Sequence, residues 1–321
     1  MPNDPGFLPR AGAARSTLRP DIAAAALKGL TSQPKTLPPS LFYDELGCHL
    51  FYEITKLPEY YLTRTETALM ERIGAELLPP GMTHATLVEF GGSEETKARY
   101  LLDLPGRFDR YISVDVAETA LTEMRKRLAQ SHEWLEVVPV VANFMHPLRL
   151  PPIDGPRLGF FPGSTIGNLE PSAAAAFLAS ARQALEPSPW FLLGADLRKS
   201  PDILIPAYDD AAGVTAAFNR NLLVRLNREA AADFDVSAFR HRAVWNDGES
   251  RIEMHLESLR PQVVHLPGAT IRFAAGETIH TENSYKHTPE ALVSVAQSAG
   301  WRLHRRWTDD QGLFGVFLFG P

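Results

Sequence analysis

Two adjacent glycines, Gly91 and Gly92, follow the apolar run Val88-Glu89-Phe90. Glycines placed after a strand and before a helix let backbone N–H groups approach a ligand closely. Asp115 ends the next apolar run, 24 positions after Gly91. That is where a carboxylate accepts hydrogen bonds from a ribose diol. A nicotinamide cofactor fits this outline, but its pattern is G-x-G-x-x-G and Ser93 stands at the third position. An ordinary tight turn is the alternative reading.

A second candidate is the turn Phe161-Pro162-Gly163-Ser164-Thr165-Ile166-Gly167-Asn168. It follows the fourth expected strand, and open α/β sheets bind ligands beyond the carboxyl ends of their strands. Its plainer reading is a Gly-Ser turn with Asn168 capping a helix. The aromatic group Phe42-Tyr43, Tyr60-Tyr61 and Tyr208 reads as a pocket wall or as core tyrosines. Thr281-Glu282-Asn283-Ser284-Tyr285-Lys286 reads as a polar site or as a solvated loop. The ten histidines show no H-x-x-x-H or H-E-x-x-H spacing, and with one cysteine no metal site is expected. G-x-S-x-G and P-loop signatures are absent.

The elements that must position these residues follow an alternating rhythm. Strands are expected at 85–90, 111–116, 136–144, 159–163 and 190–197, with helices through 94–104, 118–130 and 171–186 between them. Such alternation argues for a parallel α/β sheet with crossover helices. Ahead of it, 16–28 favours helix and 40–61 short helices. A helix over 63–77 carries Thr63 and Glu66 at capping-box spacing. Residues 198–290 break the rhythm with a long helix over 211–229 and strands at 251–258, 263–267 and 270–277. Helix and strand return over 290–321. The expectation is an α/β domain interrupted by an insertion, with a loose arm over 1–15.

Composition bounds the class. The 321 residues, 45% of them hydrophobic, can bury a substantial core. A net charge of -6 without a basic run argues against nucleic acid. The single Cys48 points to a reducing compartment. No apolar run is long enough to span a membrane, and the first residues lack the apolar stretch of a secretory signal. A cytoplasmic location is expected.

Five blocks together carry a family resemblance: LPPSLFYDELGCHLFYEITKLPEYYLTRTE, FFPGSTIGNL, AYDDAAGVTAAFNRN, RIEMHLES and HTENSYK. With them the chain, from about Ser16 to Phe319, resembles the histidine-specific, S-adenosylmethionine (SAM)-dependent N-alpha-methyltransferases of ergothioneine biosynthesis. The resemblance implies a Rossmann-like class I methyltransferase domain, expected over 64–197 with 287–321. It also implies a substrate-binding domain over 16–63 with 198–286. SAM is the implied co-substrate, without a metal. Gly91, Lys97, Asp115 and Gly163 match the family's cofactor positions, and Asn143-Phe144 falls where the family has Asp-Phe beside adenine. Tyr43, Tyr60, Asn168, Tyr208, Glu282 and Ser284 match histidine-binding positions, and Met254 a pocket-wall methionine.

The implied reaction converts L-histidine stepwise to its trimethylated betaine, with tryptophan or another aromatic amine as the alternative substrate. Tyr43 and Tyr208 are the expected donors to the substrate carboxylate, and Glu282 and Ser284 the readers of the imidazole. The chain departs from the family at Ser93, in place of a glycine, and at Asn143, in place of an aspartate. A relative that binds but no longer catalyses is the reading these departures keep open. The partner is a small molecule, with no nucleic acid or membrane, and the protein is expected to act as a monomer.

Overall fold

The computed structural model describes residues 18–92, 94–146 and 148–321. The loose arm expected over 1–15, and Ser93, lie outside the described residues. The expected parallel strands form at Ala85–Phe90, Phe108–Asp115, Glu136–Val141, Arg157–Phe161 and Pro189–Asp196. All residues of Ala85–Phe90 are buried. A strand covered by helices on both faces is apolar over most of its length, which is why these segments lack strict alternation. Glu136–Val141 is the exception. It is the sheet's edge and tolerates Pro139 there because one side of its ladder needs no partner.

The seven strands lie in the order 302–308, 314–320, 189–196, 157–161, 85–90, 108–115, 136–141. Phe314–Gly320 runs antiparallel between Pro189–Asp196 and Arg302–Thr308. The last strands of the sheet therefore come from beyond the insertion, as the interrupted rhythm implied. Strand order reverses between 85–90 and 157–161, so the crevice for a ligand lies beyond the carboxyl ends there.

The insertion and the N-terminal segment build a second sheet, in the order 35–36, 278–285, 251–258, 239–246. Helices Pro20–Leu30, Glu45–Ile54, Pro201–Tyr208 and Val214–Glu229 accompany it. One apolar core runs through residues of 22–62 and 204–279. Two others fill the faces of the seven-stranded sheet.

Several expectations are corrected. Thr278–Tyr285 is an inner strand, not a solvated loop. Of its buried polar residues, Thr281 Oγ1 donates to the Met254 carbonyl of the neighbouring strand at 3.0 Å, and Ser284 Oγ accepts from Lys286 Nζ at 2.9 Å. Phe239–Asn246 is a strand that the sequence reading left out. The long helix begins at Val214, because Asp210 caps it by accepting from the N–H groups of Val214 and Thr215 at 2.9 and 2.8 Å. The helix expected from Thr63 begins at Tyr61, and no side chain caps it. Thr63 sits inside its first turn, and Glu66 points inward.

Candidate active site

Gly91 has φ +81°, a left-handed conformation that favours glycine. Its N–H donates to the carbonyl of Val114 at 2.7 Å. A methyl added to Gly92 would lie 2.5 Å from Ser113 Oγ and 3.0 Å from the Glu89 side chain. The buried Glu89 accepts the Tyr111 hydroxyl, and burial pushes its carboxyl up to about 8.

Beside this turn stands the half-buried Asp115, whose Oδ1 accepts from Ala117 N at 2.8 Å. Burial raises its pKa, against two backbone hydrogen bonds that lower it. Ala142 N donates to the Asp115 carbonyl, which brings the 142–144 segment alongside. Asn143 ends the strand by turning the chain, its Oδ1 accepting from Met145 N at 2.9 Å. That lone pair is already committed, leaving one for an adenine amine. The Phe144 ring packs edge-on against Phe161 and Phe177 and faces Gly91, 3.6 Å from where a Cβ would stand.

Glu66, read as a cap from sequence, joins the other two expected cofactor residues. Its carboxylate lies 2.6 Å from Lys97 Nζ and accepts from Gly163 N at 2.8 and 3.0 Å. It is 1% exposed. Gly194 makes room for it: a methyl there would fall 2.1 Å from Glu66 Oε1. The carboxylate cannot swing aside without releasing Lys97 and Gly163. Gly194→Ala is therefore expected to cost about 1–3 kcal/mol of stability, as over-packing does, and to weaken SAM binding as well. Thermal melts and calorimetry on the variant check this, and an unchanged melt would show that Glu66 yields without cost.

On the opposite wall, the strand Thr278–Tyr285 carries Glu282 and Ser284. Met254 of Arg251–Ser258 pairs with Glu282 across the ladder. The tyrosines converge there. Tyr60 meets Tyr208 edge-on at 6.3 Å, Phe51 meets Tyr60 at 6.4 Å, and Tyr43 packs on Phe51 and Phe218 at the rim, 39% exposed. His241 anchors Tyr208. Its Nδ1 accepts from Asn219, so its Nε2 donates to the Tyr208 carbonyl at 2.7 Å.

The Tyr208 hydroxyl lies 2.8 Å from Ser284 Oγ and accepts from Lys286 Nζ at 2.7 Å. Tyr208, expected at the substrate carboxylate, therefore stands beside Ser284, which is expected at the ring. Glu282 is buried, and among the described residues its carboxylate has no hydrogen-bond partner. Burial pushes its pKa up to about 7, while the Lys286 charge opposes the rise.

The FPGST turn joins the two walls. Gly167 passes under the second sheet so closely that a methyl would sit 2.8 Å from the Tyr285 carbonyl oxygen. Ser164 Oγ accepts from Asp196 N at 3.0 Å. Asn168 caps no helix. It lines, with Glu282, a cleft of 670 Å³ reached from the side of helix Pro20–Leu30. Glu170 ties the turn down by accepting from Asn283 Nδ2 at 2.8 Å and Tyr285 Oη at 2.5 Å.

Sequence reasoning missed Glu66, Glu170, Asp196 and Lys199 as site residues, and gave Lys286 no role of its own within its polar block. One signal was available: Asp196 is an acid closing a wholly apolar strand. Folding also brings Glu253, His255 and His280 within 4.8 Å of one another, a grouping that no short spacing revealed. A guanidinium, that of Arg251, already occupies the Glu253 carboxylate at 2.7 Å.

A glycine turn at the switch point, a carboxylate ending the neighbouring strand and an aromatic ring over the turn fit a nucleoside-bearing sulfonium donor. Fold and site together define a SAM-dependent methyltransferase. A SAM-dependent methyltransferase from Clostridium acetobutylicum shares the fold at a TM-score of 0.50 and 9% identity, covering 85% of this chain and 98% of that one. The chain belongs to the family of SAM-dependent, histidine-specific methyltransferases, which matches it over residues 22–321. It is 44% identical to a histidine N-alpha-methyltransferase of Mycolicibacterium smegmatis, over 96% of each chain. It is 42% identical to the Mycobacterium tuberculosis protein of that name, over 90% of this chain and 92% of that one.

Proposed function

We propose that the protein methylates the α-amine of L-histidine three times, producing the trimethylated betaine hercynine at the start of ergothioneine biosynthesis. The observation that carries this reading is Glu282. A buried carboxylate without a partner, beside a hydroxyl pair and walled by tyrosines, suits a polar ring with an N–H. Gly91, Lys97, Asp115, Asn143, Phe144 and Gly163 would hold SAM. Bound SAM supplies a methyl on a sulfonium, already activated for in-line transfer to a neutral amine.

The chain's own task is positioning. Asn168 and Tyr60 hold the amine by neutral hydrogen bonds, which do not stabilise an ammonium as a carboxylate would. Tyr43, at the rim, donates to the substrate carboxylate. Glu282 accepts from one ring nitrogen, and the Ser284–Tyr208 pair serves the other. Met254 and the aromatic walls tolerate the trimethylammonium product, which carries no N–H.

We assign the substrate wall to residues 16–63 and 198–286 and the SAM wall to 64–197 and 287–321, the division that the separate apolar cores support. Among the described residues no helix is long and apolar enough to cross a membrane. A monomer in the cytoplasm is the setting we favour. The test is mass spectrometry of histidine incubated with the protein and SAM. Gains of one, two and three methyl groups are expected. Methylation of tryptophan but not of histidine would overturn the substrate assignment.

A further inference from the structure

Lys286 lies at the end of the strand that bears Glu282 and Ser284, and its side chain is wholly buried. Its Nζ donates to Tyr208 Oη at 2.7 Å and to Ser284 Oγ at 2.9 Å, and lies 2.7 Å from Asp196 Oδ2. An ammonium has three N–H donors, so all are used. The two hydroxyls are themselves 2.8 Å apart, and one must donate to the other. Their hydrogens can then be counted. Both oxygens accept from Lys286, one hydroxyl hydrogen is spent between them, and one remains uncommitted. We infer that Lys286 is a positioning residue that fixes this single outward donor opposite Glu282, so that the site takes a ring offering one N–H and one bare nitrogen. The inference rests on the histidine reading above and deepens it: the ring is selected as neutral imidazole, in one orientation.

Charge reinforces the geometry. The groups facing Glu282 are Lys286 on its own strand and the neutral phenols of Tyr43, Tyr60 and Tyr208 from the helical side. Behind Lys286, Asp196 is shared with Lys199 at 2.5 Å and with the Tyr61 hydroxyl at 2.8 Å. Lys286 thus favours the ionised Glu282 that must accept the ring N–H. Because Lys199 and Tyr61 stay on Asp196, removing Lys286 does not orphan that carboxylate.

The experiment compares the unmodified protein with Lys286→Met and Lys286→Gln, using histidine and its analogue with pyrrole in place of imidazole. The pyrrole keeps the N–H but lacks the acceptor. In the unmodified protein the analogue should have a kcat/KM lower by about 10-fold or more, the cost of one unpaired donor. In Lys286→Met the KM for histidine should rise by about 10-fold and the gap between the two rings should narrow. The acid limb of kcat/KM should move to higher pH, with SAM affinity by calorimetry held within about twofold. Lys286→Gln keeps N–H donors without the charge, so the limb should move while the ring preference persists. An unaltered ring preference and acid limb in a SAM-binding Lys286→Met would overturn the inference. So would an unmodified protein that takes the pyrrole as well as histidine, a result that stands even if the variants do not fold. An unmodified protein inactive on histidine would sink the functional reading instead.

Discussion

Glu282→Ala is expected to lower kcat/KM for histidine on the order of 10- to 100-fold and to raise the relative rate with tryptophan. The carboxylate is buried and unpartnered among the described residues. A ring N–H that reaches it gains a charge-assisted hydrogen bond of roughly 1.5–3 kcal/mol. A larger ring that cannot reach it leaves a desolvated charge unpaired, which is the stronger part of the discrimination. Alanine removes both effects and enlarges the pocket beside Met254. The pH dependence follows in sign. With its pKa pushed up to about 7 by burial, Glu282 in the free protein is protonated on the acid side and cannot accept. Glu282 should therefore add a loss of kcat/KM below about pH 7, and Glu282→Gln should remove that step, leaving the limbs set by the substrate's own amine and by its imidazole, the latter near pH 6.5. Competition kinetics with both amino acids across pH measure this. A histidine-to-tryptophan ratio that does not move would remove Glu282 from ring recognition.

Asp115→Ala is expected to weaken SAM binding by about 100-fold. Asp115 ends the strand next to the glycine turn, its Oδ1 bonded to Ala117 N, and its carboxylate keeps further lone pairs for a ligand. A ribose diol that loses this acceptor is left with poorly paired hydroxyls, at about 1–3 kcal/mol for the pair. Histidine binding without cofactor should change little, because among the described residues no side-chain hydrogen bond links Asp115 to Tyr43, Tyr60, Asn168, Tyr208, Glu282 or Ser284. Calorimetry with SAM and with histidine separates the two, and undiminished SAM affinity in a folded variant would exclude Asp115 from the cofactor site.

These two residues differ in how far the sequence reveals them. Asp115 is legible: strand, glycine turn, helix and a second strand ending in an acid form a local pattern with a fixed spacing. The same locality let the strand at 85–90 and those at 251–258 be placed to the residue. Glu282 is legible only through family resemblance, since polar residues in a row read as solvated unless something is known to cover them. The strand 278–285 is buried because the first segment of the chain pairs with one edge of it, strand 251–258 with the other, and the FPGST turn presses on it from the facing domain.

What the sequence by itself determined was the alternation of buried strands and helices, the interruption by an insertion, and the glycine turn with its acid. Each follows from backbone preference or side-chain period within a few residues. Only the tertiary structure decided that Glu66 faces Lys97 and Gly163 instead of capping its helix. It alone put Lys286, Asp196 and Lys199 into one buried network beneath Tyr208 and Ser284. The partners in these contacts come from segments as far apart as 61, 196 and 286. The reason is physical. A buried charge is stable only beside groups that compensate it, and nothing in the order of residues along the chain states which distant groups those will be.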